Sequence, residues 1–100
     1  MQFGLNDEVI RRINSVFQRH PLVSEAILYG SRAKGTFNTG SDIDLTIKGD
    51  RIDLASLYSI ERELDDLMLP YSFDLSLWSQ IDNPDLLDHI DRVGVVFYRR

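Results

Sequence analysis

The chain has 100 residues, a formal net charge of −5 and no cysteine, a length that suits one modest hydrophobic core and a single domain over residues 1–100. The lack of thiols excludes disulfides, thiolate zinc and a cysteine nucleophile, and the acidic balance argues against direct, general nucleic-acid binding. No apolar run approaches the roughly 20 residues of a membrane span and the N-terminus lacks a signal-peptide pattern, so the expected location is cytoplasmic.

Asn6 reads as an N-cap, with Leu5 and Ile10 placed as a hydrophobic staple. Val9, Ile10, Ile13, Val16 and Phe17 then form one apolar helical stripe. Arg19 and His20 suit the negative end of that helix, and Pro21 stops it. "EAILYG" is a short apolar strand ending at Gly30, "SRAKG" a short helical turn, and "FNTGS" turn chemistry. "DIDLTIK" is the second strand and "GDR" a turn. Asp53 can cap a helix running to about Leu69, where Leu54, Leu57, Tyr58, Leu64, Leu67 and Met68 fall mainly on one face and Pro70 ends it. "YSFDLSLW" alternates with period two and is the third strand. Asn83-Pro84 opens a last helix through about Arg92, and "GVVFYRR" can return as an edge strand. Helices packed on a small sheet make this a mixed α/β (α+β) layer fold.

Residues two apart on a strand face the same way. Asp42 and Asp44 therefore share a face, while Ile43, Leu45 and Ile47 point into the core. In the third strand Phe73, Leu75 and Leu77 take the core face, which leaves Asp74 beside Ser76 on the other. If the two strands are neighbours, three carboxylates converge, an arrangement that favours a neutralising cation. With two histidines far apart in sequence, the donors are oxygens, which select magnesium or manganese. Either strand aspartate alone suits a solvated sheet face equally well.

Gly30-Ser31 supplies a second feature: a glycine at a strand end admits a phosphate close to the backbone, and a helical turn starting at Ser31 presents free N–H groups. Arg32 and Lys34 add positive charge nearby, with a solvated role equally open to them. Trp78 shares parity with Asp74 but suits packing better than base stacking. Tyr29 reads as structural, Asp65, Asp66, Asp82, Asp85 and Asp88 as solvated, and His89 as a surface helix residue.

"GSRAKGTFNTGSDID" resembles the motif of the DNA polymerase β-type nucleotidyltransferase superfamily: Gly-Ser, ten residues, then Asp-x-Asp. Gly30, Ser31, Asp42 and Asp44 match it, Asp74 fits the family's third carboxylate, and the resemblance runs from Asn6 to Trp78. The short chain looks like a minimal nucleotidyltransferase (MNT), a single catalytic domain over residues 1–100. The resemblance implies Mg2+, as one ion or two, held by Asp42, Asp44 and Asp74, with Asp74 assisting the acceptor hydroxyl. It further implies ATP as donor, its phosphates gripped at Gly30 and Ser31, with Arg32 and Lys34 offsetting charge. The implied acceptor is a hydroxyl, first among them a tyrosine of an all-helical HEPN partner in a hetero-oligomeric toxin–antitoxin pair. Two alternatives keep the residues: a small-molecule adenylyltransferase subunit completed by a separate substrate-binding protein, or an antitoxin acting by binding alone.

Overall fold

A computed structural model describes residues 1–100. Helix α1 (Asp7–Gln18) begins where Asn6 places its side-chain oxygen 2.8 Å from the Val9 N–H. It buries Val9, Ile13, Val16 and Phe17. The cap contributes about 1 kcal/mol and each buried large apolar side chain about 1.5–3 kcal/mol. Burial therefore decides where α1 packs, and the cap decides where it starts.

The remaining elements are β1 (Glu25–Tyr29), α2 (Gly30–Lys34), β2 (Ile43–Lys48), α3 (Leu54–Asp66), β3 (Phe73–Leu77), a 3-10 turn over Trp78–Gln80, α4 (Pro84–Val93) and β4 (Val95–Arg99). The strands form one mixed sheet in the order β3-β2-β1-β4. β1 pairs antiparallel with β2 and β4, whereas β2 and β3 run parallel, joined through α3. No helix is long and apolar enough to cross a membrane.

The period-two alternation divides the sheet into unlike faces. Ala26, Leu28, Ile43, Leu45, Ile47 and Leu77 join the buried residues of α1 and α3 in the main core. On the opposite face Ile27 and Tyr29 pack with Ile90 of α4, and Trp78, Ile81 and Leu86 close around them. This second layer covers the β1 side of the sheet. Across β2 and β3 the same face carries Asp44 and Asp74.

Three expectations change. Helix α3 buries Leu57, Ile60 and Leu64, while Leu54, Tyr58 and Met68 are exposed. At about 100° per residue, Tyr58 and Leu54 are turned away from the arc that holds Ile60. Met68, with φ of 56°, lies beyond the helix in left-handed backbone that redirects the chain. β2 begins at Ile43, so Asp42 stands in the loop just before it. β3 stops at Leu77, and Trp78 enters the 3-10 turn, losing the strand parity that would align it with Asp74. Trp78 instead packs beside the α4 layer, with the Lys48 ammonium 4.6 Å from its ring centre.

Candidate active site

The site forms where β1 ends. Tyr29 pairs with Asp44 on β2, and Asp44 pairs with Asp74 on β3, so the three residues cross the sheet in one row. Neighbouring strands lie about 4.8 Å apart. Asp44 is half-buried, whereas Asp42 and Asp74 are exposed. Burial pushes the Asp44 carboxyl above its usual range, and the negative charges of Asp74 and Asp42 push it the same way. The Tyr29 phenol is also raised, by burial first, with the Asp74 and Asp44 charges adding to the effect.

At Gly30 the chain turns from strand into helix with φ of 75°. A Cβ there would stand 2.2 Å from Asp44 Oδ2. Glycine is thus needed twice, for its positive φ and because the carboxylate fills the space a side chain would take. The contact brings the two halves of the motif together: the Gly-Ser turn lies directly against the acidic strand. Ser31, half-buried, follows in the first turn of α2.

Arg32 does not stand where a phosphate ligand would. It is 2% exposed. Its Nε and one Nη donate to the Ser41 carbonyl at 3.1 and 3.0 Å, and the other Nη donates to the Phe3 carbonyl at 2.8 Å. The Phe37 and Tyr71 rings lie 5.3 and 5.1 Å from its guanidinium carbon. With each nitrogen donating to a backbone carbonyl and its charge met by aromatic faces, Arg32 ties the ends of the ten-residue loop together. Lys34, by contrast, is exposed at the end of α2.

The sequence reading missed His89. It lies on α4 and accepts a hydrogen bond from the Gly30 N–H at 3.1 Å through Nε2. Its ring meets Tyr29 edge-on, with 6.1 Å between centres. A signal was present: His89 follows Leu86 by three positions and precedes Ile90, the two apolar residues that α4 turns toward the sheet.

No group of three or more acidic or imidazole side chains is drawn together in metal-holding geometry; mutual repulsion opposes such convergence. Mg2+ does not require a protein cage, since it binds through one or two carboxylates together with substrate phosphates and waters. An oxygen-only donor set with a half-buried carboxylate repelled by two neighbours fits such an ion. The clefts of the molecule lie elsewhere. One of about 380 Å³ is lined by Ser24, Lys48, Asp50 and Trp78, and one of about 310 Å³ by Leu22 and Arg51 among others. Lys48 is four residues along β2 from Asp44, about 13 Å away, so the carboxylates stand on open surface outside both clefts.

Known proteins share the family and the fold of this chain. The family model described as "Polymerase beta, Nucleotidyltransferase" matches residues 11–100. A segment of 47 residues, 47% of the chain, is 43% identical to the CCA-adding enzyme of Thermoplasma acidophilum. That segment spans only 21% of one such relative and 11% of another. Among solved structures, a toxin–antitoxin with AMP-PNP matches with a TM-score of 0.71 at 20% identity, over 96% of this chain and 75% of that one. The complex of a tri-AMPylated Shewanella oneidensis HEPN toxin with its MNT antitoxin gives a TM-score of 0.69 at 14% identity, over 96% and 74%. The toxin–antitoxin MntA–HepT gives 0.68 at 14% identity, over 95% and 74%. At these identities the structural likenesses establish a shared fold.

Proposed function

The chain belongs to the polymerase β nucleotidyltransferase family, and from that premise we propose that residues 1–100 form one catalytic domain that transfers AMP from ATP to a tyrosine hydroxyl of an all-helical HEPN-type partner. The observation that carries the chemistry is the alignment of Asp44 with Asp74 across β2 and β3, with Gly30 packed on the Asp44 carboxylate. The choice of partner is supported by fold neighbours in complexes of MNT antitoxin with HEPN toxin, one of them AMPylated.

In this reading Ser31 and the N–H groups that follow Gly30 bind the phosphates, and Asp42 and Asp44 would hold Mg2+. Bound there, the ion would supply charge neutralisation for the triphosphate and Lewis acidity toward the incoming hydroxyl. The tyrosine oxygen attacks the α-phosphorus in line, the bond to the β-phosphate oxygen breaks, and pyrophosphate leaves. Asp74, exposed at the edge strand, takes the phenolic proton or completes the metal site. Arg32 acts on the loop and not on the phosphates, which leaves Lys34 as the nearby cation able to reach solvent-side charge.

The test is incubation of the chain with the helical protein encoded beside it, Mg2+ and ATP labelled at the α-phosphate. Label should move to a partner tyrosine and should not move with Asp44→Asn. Absence of transfer by wild type while the complex forms would overturn the reading. Pyrophosphate release driven by a small hydroxyl compound, with no label on protein, would reassign the acceptor to a small molecule. Partner inhibition that survives Asp42→Ala and Asp44→Ala would make binding, not transfer, the biological activity.

A further inference from the structure

We propose that His89, on α4, is a positioning residue for the nucleotide-binding turn: it holds the Gly30 N–H while Asp44 fills the place of a Cβ. The proposal rests on the nucleotidyltransferase reading for its functional consequence, but its structural content stands on contacts within the chain.

Helix α4 starts where Asn83 caps the Asp85 and Leu86 N–H groups and Pro84 takes the first turn. Leu86 and Ile90 then pack toward Ile27 and Tyr29. That docking carries His89 to the end of β1, where Nε2 accepts the Gly30 N–H at 3.1 Å. A ring that accepts through Nε2 carries its proton at Nδ1, so the contact selects the neutral Nδ1–H tautomer. Edge-on contact with Tyr29 fixes the plane of the ring.

Gly30 is thus bounded on two sides. Its N–H is taken by His89, and the position of its absent Cβ is filled by Asp44 Oδ2 at 2.2 Å. The first N–H groups of a helix have no partner within it. With that of Gly30 engaged, those of Ser31 and Arg32 are the ones α2 offers to a phosphate. A change in φ at Gly30, 75° here, would turn them relative to the Gly30 N–H, so the bond to the imidazole restrains where they point. His89 touches no reacting atom and acts through Gly30 alone.

Three forms of the full chain test this: wild type, His89→Phe, which keeps an aromatic ring against Tyr29 without an acceptor, and His89→Gln, whose amide oxygen can accept. In wild type, NMR should show coupling between the Gly30 amide and the His89 imidazole nitrogen. The Gly30 amide proton should shift upfield in His89→Phe and return toward its wild-type position in His89→Gln. The dissociation constant for MgATP should rise roughly tenfold in His89→Phe, the scale of one lost hydrogen bond, and recover to within about threefold in His89→Gln. A Gly30 resonance unaffected by His89→Phe would overturn the proposal, as would MgATP binding that is unchanged when that resonance moves. Failure of wild type itself to bind MgATP would overturn the function proposed above and the positioning role with it, which separates the two outcomes.

Discussion

Arg32 and Ser41 close the ten-residue loop between the Gly-Ser turn and the aspartates: Nε and one Nη of Arg32 both donate to the Ser41 carbonyl, at 3.1 and 3.0 Å. Ser41 immediately precedes Asp42. The side chain next to Ser31 therefore sets the position of the backbone next to the first aspartate. A spacing that looks like a sequence convention is, in the fold, a loop tied at both ends by one guanidinium.

Replacing Arg32 with lysine keeps the charge and removes the planar fork. A single ammonium cannot span the Ser41 and Phe3 carbonyls as the fork does, so at least one of them would lose its donor. A loss of about 2–4 kcal/mol is expected, from unsatisfied groups and altered packing together. Urea unfolding should show a lower midpoint with little change in slope. A variant of wild-type stability with weakened ATP binding would instead return Arg32 to the phosphates.

Gly30→Ala places a methyl group 2.2 Å from Asp44 Oδ2 in backbone of positive φ. The expected cost is about 1–3 kcal/mol of stability, together with displacement of the carboxylate and a fall in transfer of at least about a hundredfold, the scale of misplacing a reacting group. Gly35→Ala is the control. Gly35 has φ of 81° and nothing within 4 Å of its would-be Cβ, so it should carry backbone strain without loss of transfer.

Asp44 titrates above its usual range because of burial, then Asp74 and Asp42. The native state therefore keeps the Asp44 proton to higher pH than the unfolded chain does. As pH rises through this window the unfolded state releases its proton first, and stability falls. Above the raised native pKa the full penalty applies. Asp44→Asn should accordingly raise Tm at neutral pH, and its advantage should shrink as pH falls through the raised native pKa and be gone below the ordinary carboxylate range. Mg2+ should raise the wild-type Tm more than that of the variant. Thermal melts from acid to neutral pH, with and without Mg2+, measure both effects.

Glu63 shows the opposite sign. Burial acts to raise its carboxyl, but hydrogen bonds from His20 and Arg19, with their charges, outweigh it and hold the group below its usual range. The Arg19 guanidinium lies 2.9 Å away, and His20 contacts the other carboxylate oxygen. This join between the end of α1 and α3 contributes stability above the unfolded carboxylate pKa and loses it as pH falls through the lowered native value. Because the pair is solvent-facing, Glu63→Gln should cost less than about 1 kcal/mol at neutral pH. The cost should fade in acid and with added salt, as Tm differences would record.

Much of the architecture was legible because its causes are local. Asn6, Asp53 and Asn83 each cap the helix their spacing predicts. The alternation of Ile43, Asp44 and Leu45 predicts two unlike faces, and the structure has them. The less legible parts depended on where an element stops. Met68 belongs to the apolar count of α3 only if the helix continues, and Trp78 aligns with Asp74 only if the strand does. The chain leaves regular geometry before each of them.

By itself the sequence determined the motif residues, their spacing and the unlike faces of β2 and β3 within the strands, because strand periodicity acts over a few residues. Only the tertiary structure decided that Asp44 lies opposite Asp74, that Arg32 turns inward to Ser41 and Phe3, and that His89 reaches Gly30. The last pair is 59 residues apart in the chain. Local periodicity can place a group on a face. Which group it then meets depends on how distant elements bury their apolar surfaces together.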